Sequence, residues 1–248
     1  MNAAIQLTGL TKRFGERVAL NAISATIPTG GITGLVGPDG AGKSTLLRLL
    51  AGLLVPEAGE IRVLGLDPVR EGDALRQRLG YMPQQFGLYE DLSVQENLSL
   101  YADLRGVLEP ERTSTLARLL AFTDLARFTA RPAGKLSGGM KQKLGLACAL
   151  LGTPDVLLLD EPGVGVDPIS RRALWQMVRE LAQGGMTVLW STAYLDEAEL
   201  CDHVLLMADG EVRTSGTPAT LMGAMASRCW LLEAGELDGR ERRALLRR

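Results

Sequence analysis

Apolar residues fall into short runs along the chain, and their spacing predicts alternating strands and helices. The first run alternates apolar with polar positions at Ile5 and Leu7, and a second run does so at Val18 and Leu20. Alternation with a period of two is typical of half-buried strands. These runs therefore predict an antiparallel sheet near the start of the chain.

The later runs indicate an α/β order. An apolar run at 32–36 leads through a glycine-rich turn into a Leu- and Ala-rich helix at 43–53. A continuous apolar run at 156–159 predicts a buried parallel strand, and β-branched or apolar runs at 187–191 and 204–207 predict two further strands. Strands that alternate with helices in this way are typical of α/β folds.

Helix signals divide the chain further. Asp167 as a cap, with Pro168 at the first helical position, predicts a helix to about Ala182, and a second, acidic helix is predicted at 195–200. From 69 to 151 helical signals dominate, including a capping box at 93–96. The resulting division is one domain at 1–218 with a helical insert at about 84–150, and a C-terminal extension or truncated linker at 219–248.

Composition and charge exclude several classes of protein. The chain has 248 residues, of which 46% are hydrophobic, so it can bury a core and is not disordered. Its 27 basic and 29 acidic residues give a net charge of −2, which argues against a nucleic-acid partner. The longest uncharged stretch, 18–38, contains turn residues and does not predict a spanning helix. With no export signal at the start, a cytoplasmic location is expected.

A P-loop pattern follows the strand at 32–36 and opens the next helix. It consists of Gly37, Pro38, Asp39, Gly40, Ala41, Gly42, Lys43, Ser44 and Thr45. Glycines allow successive backbone N–H groups to face one point, where the helix N-terminus adds partial positive charge. Lys43 would reach the terminal phosphates and Ser44 would ligate magnesium. The pattern predicts a nucleoside triphosphate as ligand rather than a purely structural turn.

Two acids, Asp160 and Glu161, come directly after the apolar run at 156–159. Ligands of open α/β sheets bind at the carboxyl ends of the strands. Asp160 would hold magnesium through water, and Glu161 would orient and deprotonate the attacking water. The alternative for the two acids alone is a solvated acidic turn.

A second phosphate receptor is predicted at the start of another helix. Its residues are Ser137, Gly138, Gly139, Met140 and Gln142. The hydroxyl and the glycine amides suit a phosphate. Because one nucleotide does not need two receptors of this kind from one chain, this receptor is expected to cap a phosphate that another subunit holds.

Together these motifs resemble the ATP-binding cassettes of ABC transporters, over roughly 5–218. The resemblance implies an α/β P-loop NTPase fold with a RecA-like parallel sheet, an N-terminal antiparallel β subdomain and an inserted α-helical subdomain. It implies ATP and Mg²⁺ as cofactors. By resemblance, Phe14 stacks on adenine, Gln84 links magnesium to the helical insert, and Asp167 touches the opposing site of a dimer.

The stretches 81–84, 88–94 and 194–198 resemble those of drug and antibiotic exporters of the ABC-2 class, most of all the first half of tandem two-cassette ATPases. This implies a second cassette, as a homodimer, a heterodimer or a fused partner. It also implies transmembrane permease subunits, and a position on the cytoplasmic face of the membrane. A surface around Phe86, Leu88, Tyr89, Leu98 and Tyr101 could dock a helix of the permease, or could be ordinary core.

Three positions depart from the family pattern. Ala193 stands where the family has its switch histidine, and alanine cannot hold a phosphate or a water by a hydrogen bond. Asp39 adds a negative charge to the P-loop, and Gly163 replaces a hydroxyl residue. Two hypotheses follow from Ala193: a degenerate cassette that completes its partner's site with little hydrolysis of its own, or normal hydrolysis in which Thr192 positions water.

Overall fold

The computed structural model describes residues 3–85 and 87–226, whose strands form two sheets. The strands are β1 (Ala3–Phe14), β2 (Arg17–Pro28), β3 (Gly31–Val36), β4 (Ala58–Val63), β5 (Leu79–Met82), β6 (Val156–Leu159), β7 (Thr187–Thr192), β8 (His203–Ala208) and β9 (Glu211–Gly216). The helices are α1 (Lys43–Leu50), α2 (Gly72–Arg78), α3 (Val94–Leu104), α4 (Glu111–Phe122), α5 (Gly138–Ala149), α6 (Pro168–Gln183), α7 (Leu195–Glu199) and α8 (Pro218–Ala226).

The N-terminal sheet has the order β2-β1-β4 and is antiparallel throughout. Ile5 of β1 lies opposite Ile27 on one side and opposite Val63 on the other, and all three side chains are buried. The predicted antiparallel sheet is therefore confirmed. The pattern did not reveal β4, because only Ile61 and Val63 of its six residues are buried.

The central sheet has the order β5-β6-β7-β3-β8-β9, in which all neighbours are parallel except β8 and β9. Every residue of β6 and β7 is buried, as expected for the middle of a parallel sheet. The strands expected at 156–159, 187–191 and 204–207 are confirmed.

The prediction that helices dominate from 69 to 151 is wrong at one place. Leu79–Met82 forms β5, which pairs in parallel with β6 from Leu79 opposite Val156 to Met82 opposite Leu159. A strand of four residues is too short to show its own period, so its pairing with the distant β6 decides its conformation. β9 was also missed, because all of its residues are partly or fully exposed and Val212 is its only branched apolar side chain.

The helix ends follow local signals. α6 begins at Pro168, where Asp167 accepts the N–H groups of Ile169 and Ser170, and α3 begins with the predicted capping box of Ser93 and Glu96. α1 ends at Leu50 and not at 53, because the chain turns at Gly52, whose φ is 68°. The domain division at 218 and the insert at 84–150 stay predictions, and residues beyond 226 lie outside the described part.

Two apolar cores hold the elements together. One lies between the central sheet and helices α3 to α6, and the other between the two sheets and α1. Cys148 and Cys201 are buried packing residues, and burial raises the pKa of each thiol to about 12. Cys229 lies outside the described residues. Within 3–85 and 87–226, no helix has both the length and the hydropathy that a membrane crossing requires.

Candidate functional site

Three strand ends meet at one edge of the central sheet and form the floor of an open cleft. β3 ends at Val36 opposite Thr192 of β7, and β6 ends at Leu159 opposite Trp190. The cleft has a volume of about 790 Å³. It is lined by Phe14, Arg17, Ala19, Asp39, Gly40, Gly42, Lys43, Ser44, Thr45, Gln84, Glu161, Val164, Ala193 and Tyr194.

The P-loop crosses this floor and opens α1. Gly42 at the N-cap has a φ of 102°, a left-handed conformation that favours glycine, and no side chain among the described residues caps the helix. A Cβ on Gly42 would also lie 2.6 Å from the carbonyl oxygen of Ala19. The loop therefore brings its backbone N–H groups to the cleft without a side chain competing for them.

Lys43 is 4% exposed and is held at the bottom of the cleft. Its Nζ donates to the carbonyl oxygens of Gly37 at 2.7 Å and Pro38 at 3.0 Å. It also lies 3.0 Å from Oε1 of Glu161. The only cation of the P-loop is thus neutralised by the predicted catalytic carboxylate, and both groups are close to where a terminal phosphate would enter.

Asp160 is buried next to the start of α1. Its Oδ1 accepts hydrogen bonds from the hydroxyls of Ser44 and Ser191, both at 2.9 Å. Its Oδ2 is buried without a hydrogen-bond partner in the described residues. An unpartnered buried carboxylate oxygen beside a serine hydroxyl suits a hard cation, so these residues fit Mg²⁺. Burial, and then the charge of Asp160, raises the pKa of the neighbouring Tyr81.

Glu161 is held in an unusual conformation. Its φ is 49°, which is uncommon for a residue with a side chain, and its N–H donates to Oγ of Ser191 at 2.8 Å. Its Oε2 accepts a hydrogen bond from Nε2 of Gln84 at 2.8 Å. The structure therefore joins the predicted residues Gln84, Asp160 and Glu161 in one network.

Two residues of the site were not predicted from the sequence: Ser191, which is fully buried, and Arg17, which lines the cleft. The Ser191 hydroxyl donates to Asp160 and accepts the N–H of Glu161. Its position near the carboxyl end of β7, beside β6, is the sequence feature that could have indicated this role. Arg17 lines the cleft, and its Nη2 lies 3.3 Å from where a Cβ on Gly40 would be. The sequence feature that could have indicated Arg17 is its position, because this basic residue follows Phe14 after one tight turn. Phe14 itself is 50% exposed at the cleft.

The second predicted receptor lies at the N-terminus of α5. Ser137 caps this helix, with its Oγ accepting the N–H of Met140 at 3.3 Å. Gly139 packs against Ser170 of α6, close to the Asp167 cap. Hydrogen bonds from Ser170 and Ile169 hold the pKa of Asp167 below its usual value. Among the described residues that line the cleft, none comes from 137–142 or is Asp167.

The switch position lines the cleft but offers it no polar side chain. Ala193 follows Thr192, whose Oγ1 accepts the N–H of Tyr194 at 3.0 Å. His203 lies opposite Thr33, three residues before the P-loop end of β3. It therefore does not take the place of a histidine at position 193.

Comparisons with known proteins agree with this geometry. The family model described as ABC transporter matches residues 20–164. The chain is 62% identical over 233 residues to the probable multidrug ABC transporter ATP-binding protein YbhF of Escherichia coli (strain K12), covering 93% of this chain and 40% of that protein. It is 40% identical over 240 residues to the daunorubicin resistance ATP-binding protein DrrA3 of Streptomyces coeruleorubidus, covering 95% and 76%.

A solved structure has the same fold. It is the dimeric, post-hydrolysis state of the ATP-binding cassette MJ0796 bound to ADP and Pi, with a TM-score of 0.76 and 28% identity over 86% of this chain and 98% of that chain. The chain spans only 40% of the length of the Escherichia coli relative. The expected P-loop NTPase cassette fold is confirmed, and the chain belongs to the ABC transporter family, as one of its ATP-binding cassettes.

Proposed function

We propose that this chain is the ATP-hydrolysing subunit of an exporter. The observation that carries the proposal is the buried network in which Lys43 contacts Glu161, Glu161 contacts Gln84, and Asp160 keeps one oxygen free. Phosphoryl transfer needs positioned charges rather than covalent chemistry from the protein. This network supplies a cation, a base and a magnesium ligand within one cleft.

The network predicts what the side chains do when a triphosphate enters. The terminal phosphate would draw Lys43 away from Glu161, because a doubly charged phosphate is the stronger partner. The released carboxylate of Glu161, oriented by Gln84, would then orient the attacking water and accept its proton. Ser44, Asp160 and Gln84 would hold Mg²⁺, which supplies charge neutralisation at the phosphates. Phe14 would stack on the adenine.

A second cassette is part of the proposal. The Ser137 turn and Asp167 do not line the cleft of their own chain, yet Ser137, Gly138 and Gly139 form a helix N-terminus suited to phosphate. We propose that this turn caps the ATP held by a partner cassette. The structural relative described as dimeric supports this arrangement.

The test is ATP turnover by the full-length protein. Glu161→Gln keeps the size of the side chain and removes the base, so turnover should fall by about 10²- to 10⁴-fold while ATP binding persists. Turnover should be followed by phosphate release and binding by calorimetry. Asp155→Asn, an exposed acid at the far end of β6, is the matched control and should leave turnover unchanged. A Glu161→Gln variant that still hydrolyses ATP at the wild-type rate contradicts the proposal.

One observation favours a second candidate function. Ala193 lines the cleft where the family has a histidine, which favours a cassette that binds ATP, dimerises and hydrolyses slowly at its own site. Ala193→His should then raise turnover in the assembled complex. An unchanged rate would favour the other hypothesis, in which Glu161 and Thr192 suffice for normal hydrolysis.

We further propose that membrane permease subunits dock beside Gln84, which places the chain at the cytoplasmic face of the membrane. An apolar groove of about 520 Å³ there is lined by Leu88 and Tyr101, and Leu104 at its edge is 70% exposed. Leu98, expected on this surface, is fully buried in the core because α3 turns it inward. Phe86 lies outside the described residues. Export of drugs is proposed from the names of the relatives.

A further inference from the structure

A buried carboxylate lies behind the cleft, on α7. Glu197 is 5% exposed, and its Oε2 accepts a hydrogen bond from Nε1 of Trp190 at 2.9 Å. Its Oε1 is buried and has no hydrogen-bond partner within the part of the chain that the structure describes, although Nε of Arg171 lies 3.9 Å away. A buried charge with one unsatisfied oxygen destabilises a fold. Its presence is therefore not explained by stability alone.

Oε1 of Glu197 fills the space beside Gly163. A Cβ built on Gly163 would lie 2.4 Å from this oxygen and 3.1 Å from Cδ of Arg171. The φ angle of Gly163 is outside the left-handed region, so its backbone conformation would accept other residues. Glycine is therefore required at position 163 because a Cβ would collide with Glu197, and not because of the backbone conformation. Gly163, one of the departures from the family pattern, is thus sterically matched to the Glu197 carboxylate.

Glu197 connects the two chain segments that build the catalytic network. Gly163 follows Glu161 by two residues in the turn after β6. Trp190 directly precedes Ser191, whose hydroxyl accepts the N–H of Glu161. A movement of the Glu197 carboxylate would therefore be transmitted to Glu161 from both sides.

Glu197 also fixes the segment that contains the switch position. Ala193 has no polar side chain with which to hold its own segment in place. Helix α7 starts two residues later, and Glu197 anchors it through the hydrogen bond to Trp190. Between them, the Tyr194 ring lies 5.4 Å from the guanidinium of Arg171. Arg171 in turn lies 3.7 Å from Asp196 of the same helix.

We propose that Glu197 is a positioning residue for ATP hydrolysis: seated in the space that Gly163 leaves open, its carboxylate holds the β7–α7 connection in register with the turn that carries Glu161. The inference rests on the proposed function, since it matters only where Glu161 handles the attacking water. A misplacement of about 1 Å at a reacting group can cost about 10²-fold in rate. Glu197 can thus control turnover without contacting the nucleotide.

The test is a double-variant cycle in the full-length protein, with kcat and KM for ATP as readouts. Gly163→Ala and Glu197→Asp should each lower kcat by about 10-fold or more and leave KM nearly unchanged, because the P-loop contacts are intact. Aspartate is one methylene shorter, so it leaves room for a Cβ at position 163. The double variant should therefore keep the turnover of Glu197→Asp instead of showing the product of both losses.

One control variant and one further test variant separate positioning from damage to the fold. Gly223→Ala, where a Cβ would meet no atom within 4 Å, should leave kcat unchanged. Glu197→Gln keeps the length of the side chain and an oxygen acceptor for Trp190 but loses the charge facing Arg171. It should lower kcat with wild-type KM and with no loss of thermal stability. If Gly163→Ala does not fold, the kcat of Glu197→Gln tests the positioning role by itself.

The outcomes are distinct. Multiplicative losses in the double variant, or a Glu197→Gln protein with wild-type kcat, overturn the positioning role while leaving the proposed function intact. A wild-type protein that shows no ATP turnover contradicts the proposed hydrolysis itself, and the positioning role with it, before any variant is compared.

Discussion

The N-termini of α1 and α5 are both marked by the sequence as phosphate receptors, but the structure equips them differently. α1 follows the left-handed Gly42 and, in the described residues, has no side-chain cap. α5 is capped by Ser137, whose Oγ accepts the N–H of Met140 at 3.3 Å. The N-terminus of α1 therefore presents its backbone N–H groups without a side chain that accepts them. At the N-terminus of α5, the Ser137 hydroxyl already accepts one backbone N–H group.

The lysines at the starts of the two helices also differ in whether they face the cleft. Lys43 lies inside the cleft beside Glu161 and would exchange this partner for a phosphate. Lys141 of α5 is 2.6 Å from Glu90, outside the cleft, and its hydrogen bond lowers the pKa of that carboxyl. The difference supports the proposal that α1 would bind a nucleotide on its own, and that α5 would contribute only when a partner brings the phosphate.

Among the tests that compare the two receptors, the largest effect is expected from removing the cation of the first receptor. Lys43→Met should weaken ATP binding by about 10- to 100-fold, since a hydrogen bond to a charged group contributes roughly 1.5–3 kcal/mol. Calorimetry with ATP measures the change. Lys141→Met is the matched control on α5 and should leave binding by the isolated protein unchanged. Equal losses in both variants would remove the proposed difference between the two N-termini.

The first receptor was predictable because its parts are contiguous in the chain. The P-loop is nine consecutive residues that run from the end of β3 into the first turn of α1, and Asp160 and Glu161 directly follow an apolar run. Such patterns carry their own local geometry, so no knowledge of the tertiary structure was needed. The antiparallel sheet and the capped starts of α3 and α6 were predictable for the same reason.

The parts that were missed depend on contacts between distant segments. Ser191 binds the N–H of Glu161 across 30 positions, and Glu197 meets Gly163 only because α7 packs against β7, the neighbour of β6. β5 became a strand through its pairing with β6, although its neighbours in sequence favour helix. Local periods cannot reveal such pairings, since the deciding energy comes from tertiary packing.

An intermediate effect is expected at the contact between α5 and α6. A Cβ on Gly139 would lie 2.4 Å from Cβ and Oγ of Ser170, so Gly139→Ala should push the second receptor away from the Asp167 turn. Turnover should fall by about 10-fold, because positioning is lost, while ATP binding by the isolated chain stays unchanged. Adding Ser170→Gly reopens the space and should restore turnover. A loss of ATP binding in Gly139→Ala would contradict the independence of the first receptor.

The smallest effect is expected from Ser137→Ala. The hydroxyl caps α5, and loss of such a cap typically costs about 1 kcal/mol of stability, which urea unfolding would detect. ATP binding by the isolated protein should not change, because Ser137 does not line the cleft in the described structure. Ser137→Thr retains a capping oxygen and serves as the control for stability. If Ser137→Ala weakened ATP binding by an isolated chain as strongly as Lys43→Met, the two receptors would act on one nucleotide within one chain. The position of Ser137 and Gly138, exposed and outside the cleft of their own chain, argues against that result.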